Sequence, residues 1–138
     1  MNKIKEEAKN RLIVALDYNN MEDAIKLTEK LGDKISIYKV GLESFLSTDG
    51  KLVDYLHEKG KKVFLDLKFH DIPNTVARAV RSAADLGVWM VDLHASGGLR
   101  MMEEAKKILE PYGKDAPLLI GVTVLTSMED LDLLQIGI

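Results

Sequence analysis

The sequence of 138 residues predicts an α/β fold built on a parallel sheet. Short apolar runs alternate with longer segments of helical period, which is the pattern of repeated βα units. Polar residues collect at one end of these runs: Asp17, then Lys39, then Asp66 with Lys68, then His94, and lastly Thr123 with Thr126. In a βα architecture those are the carboxyl ends of the strands, where ligands bind in barrels and in open doubly wound sheets alike.

The first strand is expected from Arg11 to Asp17, followed by a helical stripe of Met21, Ala24, Ile25, Thr28 and Leu31. Asn19 and Asn20 precede that stripe and are better placed than Asp17 to cap it. A second strand, Ile35 to Gly41, leads to a shorter stripe of Leu52, Val53 and Leu56. The third runs from Lys62 to Lys68. Pro73 pre-sets the first turn of the helix after it and pushes Ile72 toward an extended conformation. That helix carries Val76, Ala77, Val80, Ala83 and Ala84 on one side and ends at Gly87. The fourth strand, Trp89 to Ala95, precedes a stripe of Met102, Ala105, Leu109 and Tyr112. A fifth, Pro117 to Leu125, precedes a short helix beginning near Ser127, with Met128, Leu131 and Leu134 facing inward.

With 46% hydrophobic and 30% charged residues, the chain has enough apolar material for one soluble globular core. No linker or low-complexity stretch divides it, so residues 1–138 read as a single domain. A net charge of -3 without any Lys/Arg block argues against a nucleic-acid surface. The absence of cysteine rules out disulfides and thiolate metal sites and suits a reducing, cytoplasmic setting. The stretch Met1 to Asn10 is charged and lacks the apolar region of an export signal. No apolar run approaches the ~20 residues of a membrane span.

The run Asp66-Leu67-Lys68-Phe69-His70-Asp71-Ile72-Pro73-Asn74-Thr75 carries the chemistry. Side chains of a strand alternate faces, so Asp66 and Lys68 share one face while Leu65 and Leu67 point to the other. Asp71 follows in the turn. A lysine among these carboxylates keeps its charge and is a proton donor. A bare D-x-K triplet is more often a structural salt bridge at a strand end. Lys39 tips the balance, because it ends the neighbouring strand on the face of Ile35 and Ile37 and aims a second ammonium at the same region. Desolvating so many charges costs several kcal/mol per ion, which makes the cluster a poor device for stability alone. Asp17, ending the first strand beside Lys39, reads as a ligand group.

Elsewhere the residues are more ordinary. Ser96-Gly97-Gly98 could present backbone N–H groups to a phosphate, although a tight βα turn explains a glycine pair as readily. His94 reads as a hydrogen-bonded residue at the rim, His57 as solvated helix surface, and His70 as a loop residue without an identifiable partner. Met101 and Met102 read as core and rim packing. No spaced His/carboxylate pair suggests a metal site.

Read as D-L-K-F-H-D-I-P-N-T, the run from Asp66 to Thr75 resembles the signature of the orotidine 5′-phosphate decarboxylase family, in its bacterial form. Leu12 to Asp17, Lys39-Val40-Gly41, His94 to Gly98 and Val122 to Ser127 are similar to the family's corresponding segments, in the same order. Related keto-gulonate phosphate decarboxylases and hexulose phosphate synthases share D-x-K-x-x-D but not the I-P-N-T continuation.

The resemblance implies a TIM (β/α)8 barrel, here truncated to about five βα units, with the family's main phosphate clamp beyond Ile138. It implies that Lys39, Asp66, Lys68 and Asp71 form a charged network with Lys68 as proton donor to C6 of orotidine 5′-monophosphate, giving UMP without metal or other cofactor. Asp17 and Lys39 would bind ribose hydroxyls, and Thr126 would lie near the pyrimidine. Asp71, Ile72 and Thr75 would reach the site of the other subunit of a homodimer. An open array of five strands leaves sheet edges and an apolar inner face uncovered, and little activity is expected of it alone. Two other readings are a Mg-dependent sugar-phosphate decarboxylase or aldolase of the same barrel group, and a noncatalytic fragment.

Overall fold

A computed structural model describes residues 7–138, so most of the charged stretch from Met1 to Asn10 lies outside the described residues. Five parallel strands form one sheet in the order of the sequence: β1 (Ile13–Ala15), β2 (Ile37–Gly41), β3 (Lys62–Phe69), β4 (Met90–His94) and β5 (Leu118–Val122). Such an order, with a helical connection in every crossover, is the arrangement expected of consecutive units of a β/α barrel.

β1, β2, β4 and β5 are shorter than the apolar runs that predicted them. β5 stops at Val122 because its ladder partner β4 stops at His94 and turns into a 3-10 segment, Ala95–Gly97. Residues 123–125, expected in the strand, therefore have no neighbour to pair with. β1 lies at the sheet edge, and its pairing with β2 ends one residue past Ala15, where the Leu16 N–H donates to the Lys39 carbonyl at 2.9 Å.

From β1 onward the helices are α1 (Met21–Leu31), α2 (Leu42–Ser47), α3 (Lys51–Glu58), α4 (Pro73–Asp85), α5 (Leu99–Lys107) and α6 (Asp130–Gln135). Asn20 caps α1, its Oδ1 accepting from the Asp23 N–H at 2.9 Å. In α4, Pro73 occupies the first turn, Ile72 is extended at φ -58° and ψ 148°, and all five residues of the expected stripe are buried. Tyr112 leaves the expected helical stripe for a 3-10 segment, Glu110–Asp115, but still packs against the core. The helix α2 was not anticipated. Only Ser44 of its six residues is buried, so it carries no apolar stripe for periodicity to detect.

The core lies between the helices and one face of the sheet, where Leu16, Tyr38, Val40, Val63, Leu65, Val91 and Leu93 are each at most 2% exposed. The opposite face is apolar but open: Ile13, Leu118 and Ile120 are 42%, 50% and 38% exposed. That is the inner face a closed barrel would fill. The orientation expected of the last helix does not hold. α6 begins at Asp130, and Leu131 and Leu134 are 64% and 70% exposed, because none of its residues is buried against the sheet.

Candidate active site

The site is assembled by strand register. Gly41 of β2 stands opposite Asp66 of β3, and Lys39 stands opposite Ala15 on one side and Phe64 on the other. These residues share the open face of the sheet, since parallel partners point the same way. Lys39 extends its long side chain toward the carboxyl end and places Nζ 3.1 Å from Asp66 Oδ2 and 3.4 Å from Asp17 Oδ1. Lys68 Nζ lies 2.5 Å from the other oxygen of the same carboxylate, Asp66 Oδ1. One anion is thus held between two ammonium groups from adjacent strands, and a second anion flanks Lys39. A methyl group at Gly41 would sit 3.5 Å from Lys39 Nζ and 3.6 Å from Asp17 Oδ1, so this glycine floors the cluster.

The charges tune one another. Burial disfavours the ammonium of Lys39, but the hydrogen bond and charge of Asp66, with Asp17 behind it, outweigh that and raise its pKa. Burial also pushes the Asp66 carboxyl up. Hydrogen bonds with Asp92, Lys68 and Lys39 more than reverse this and hold it below the usual carboxylate range. Both groups remain charged, as preorganised electrostatics requires.

Asp92 was missed by sequence reasoning. It sits in β4, is 1% exposed, and lies against Asp66. Burial, followed by the hydrogen bond with Asp66, raises its pKa to about 6. Its Oδ1 accepts the Lys68 backbone N–H at 2.9 Å, where the β3–β4 register shifts between Leu65 and Phe69 and Lys68 takes φ +48°. A carboxylate inside the apolar run Met90-Val91-Asp92-Leu93 was the available signal.

The other candidate residues are placed as follows. Within this chain Asp71 stands apart from Asp66 and Lys68: it is exposed, and its Oδ1 accepts the N–H of the adjacent Ile72 at 2.6 Å. Ile72 and Thr75 are likewise exposed near the start of α4, and Thr126 is exposed in the segment after β5, with no bond to the cluster among the described residues. His70 does have a partner, the ring of His94, with centroids 5.4 Å apart. His57 is not solvated surface. Its Nε2 is buried without a hydrogen-bond partner among the described residues. The Ser96-Gly97-Gly98 turn follows the packing alternative. Gly98 has φ +92°, and a Cβ on Gly97 would lie 2.2 Å from Met101 Sδ. No group of three or more His, Asp or Glu side chains suited to a metal ion occurs among the described residues. No described helix is long and apolar enough to cross a membrane.

Comparison with known proteins gives a family and a fold. The profile described as "Orotidine 5'-phosphate decarboxylase / HUMPS family" matches residues 10–137. The chain belongs to that family. An orotidine 5′-phosphate decarboxylase of Pasteurella multocida (strain Pm70) is 72% identical over 129 residues, covering 94% of this chain and 55% of the relative. The chain therefore spans about half the length of the curated relatives it matches. Among solved structures, an uncharacterized conserved protein from Geobacillus kaustophilus superposes with a TM-score of 0.82 at 39% identity, over 91% of this chain and 59% of that one. The orotidine 5′-phosphate decarboxylase of Lactobacillus acidophilus does so at 0.78 and 43%, over 90% of this chain and 57% of that one. These family likenesses bear out the β/α-barrel expectation.

Proposed function

We propose that this chain carries the decarboxylating centre of an orotidine 5′-phosphate decarboxylase, converting orotidine 5′-monophosphate to UMP in pyrimidine synthesis. The supporting observation is the Asp66 carboxylate held between the ammonium groups of Lys39 and Lys68 at the carboxyl end of the sheet. In the reaction the bond from C6 to the carboxylate carbon breaks, CO2 leaves, and the electron pair stays on C6. That pair lies in the ring plane, where the π-system cannot delocalise it. Stabilisation must come from fixed charge, and Lys68 supplies the nearest ammonium. Lys68 then gives a proton from Nζ to C6 and regains one from water. Preorganised cations in a water-poor site stabilise such charge far better than water does.

In this reading Asp17 and Lys39 bind ribose hydroxyls, and Thr126 approaches the pyrimidine. Asp71, Ile72 and Thr75, exposed at the start of α4, serve the second subunit of a homodimer. Asp71 thereby completes the charged network from outside. The chemistry needs neither metal nor other cofactor, and a pyrimidine-pathway enzyme of this kind belongs in the cytoplasm.

The test measures UMP formation by two proteins: the chain of 138 residues, and the same chain followed by the part of the Pasteurella multocida relative that it does not span. The extended chain is expected to turn over orotidine 5′-monophosphate and the shorter one far more slowly. Lys68→Ala in the extended chain should lower UMP formation by about 10²-fold or more. Turnover that this change leaves unaltered, or that appears only with sugar phosphates and added Mg2+, would overturn the reading.

A further inference from the structure

The strands β3 and β4 lose their regular pairing where the site is built. Their register runs Phe64 with Met90 and Leu65 with Val91, then resumes at Phe69 with Leu93, so β3 bulges through Asp66, Leu67 and Lys68. A bulge leaves backbone groups without ladder partners, and a partly buried N–H must find another acceptor. For Lys68 that acceptor is the Asp92 side chain, 2.9 Å away. Lys68 also has φ +48°, a region that a non-glycine residue occupies only under strain. The conformation persists only if its surroundings impose it, and the same conformation sets where the Lys68 ammonium points.

We infer that Asp92 is the positioning residue of Lys68: through its hydrogen bond to the Lys68 N–H it fixes the left-handed bulge that brings Nζ onto Asp66. The catalytic meaning of this rests on the decarboxylase reading; the geometric claim does not. The charged groups facing Asp92 are Asp66 and Lys68 of β3, while its register partner on β5, Ile120, is apolar. His94 follows two residues along the same strand. With Asp66 held ionised by two ammonium groups, the proton between the two carboxyls resides on Asp92 over the acidic range. Asp92 thus supports both neighbours, one oxygen accepting from the Lys68 backbone and the carboxyl's proton donated toward Asp66.

Magnetic resonance of the isotopically labelled chain of 138 residues tests this without substrate. The Lys68 amide signal should move together with the Asp92 carboxyl carbon, with a shared midpoint near 6. Its HN–Hα coupling, read with a strong intraresidue HN–Hα NOE, should report a positive φ. In Asp92→Asn, which keeps an acceptor oxygen and adds a donor toward Asp66, the coupling should persist while the pH response of the Lys68 amide disappears. In Asp92→Leu the coupling should change as Lys68 leaves the left-handed region. An amide that ignores the Asp92 titration, or keeps its pH response in Asp92→Asn, would overturn the inference. So would an unchanged coupling in a folded Asp92→Leu chain. If the leucine variant does not fold, the asparagine comparison still decides. The two claims fail separately: unchanged turnover in Lys68→Ala of the extended chain removes the decarboxylase reading and leaves these spectra standing.

Discussion

Lys39 reaches Asp66 across a register that does not align them. The ladder partner of Lys39 is Phe64, and the partner of Asp66 is Gly41, yet Nζ and Oδ2 are 3.1 Å apart. A long flexible side chain climbs one pleat along its own strand, and a glycine at the top of that strand leaves it room. The ammonium is consequently aimed at the carboxyl end of the sheet, where the second cation also lies.

This arrangement makes the two lysines unequal. Lys68→Ala removes the proton donor proposed above, and UMP formation by the extended chain should fall by about 10²-fold or more, with KM changing less than kcat. Lys39→Ala leaves the donor in place but frees Asp66 and Asp17 from their shared cation, so KM should rise as well as kcat fall. Steady-state kinetics of the two variants separates these patterns. Identical effects on both parameters would contradict the division of roles.

Core and surface leucines should differ sharply. Leu65 is 1% exposed beneath the helices, and Leu65→Ala should cost about 2–5 kcal/mol in urea unfolding. Leu134, which sequence periodicity had facing inward, is open to solvent, and Leu134→Ala should change stability by no more than about 0.5 kcal/mol. A large loss at Leu134 would show that α6 packs more closely than this.

Gly97 gives a packing test of the turn between β4 and α5. Because Met101 is fully buried, its sulfur cannot easily retreat from an added Cβ, and Gly97→Ala should destabilise by about 1–3 kcal/mol. Shortening the obstacle should recover part of that loss, so the double variant Gly97→Ala/Met101→Ala should be less destabilised than the sum of its single changes. Strict additivity in thermal unfolding would refute the contact.

These differences follow the limits of sequence periodicity. The alternation of apolar runs and helical stripes was enough to place all five strands and the α4 stripe, because burial on one side repeats with a fixed period. Asp17, Lys39, Asp66 and Lys68 were legible as a cluster because each falls in or just past the carboxyl half of an apolar run that the sequence marks as a strand, and parallel neighbours bring those halves together. Asp92 was not, since a single carboxylate in a strand interior becomes meaningful only when a register shift in the neighbouring strand brings Lys68 onto it. Spacing alone does not place the Asp71 carboxylate, because the turn decides where it goes: in this chain it is exposed and accepts the Ile72 N–H.

Buried beside an anion, Asp92 should leave a mark on the pH dependence of stability. Its pKa is about 6 in the folded chain against about 3.9 for an unfolded aspartate. Between those values the native state binds more protons than the unfolded state, so stability falls as pH rises through that window and levels off above it. The full effect is about 3 kcal/mol. Asp66 works in the opposite sense. Its pKa is lowered, so its contribution is present above the ordinary carboxylate range and is lost as pH falls through its depressed value. The two windows barely overlap. Urea unfolding between pH 4 and 7.5 should therefore show declining stability in the parent chain and a nearly flat profile in Asp92→Asn, the variant gaining on the parent as pH rises. A parent profile that is flat or rises across this range would mean that Asp92 ionises as easily in the fold as in the unfolded chain.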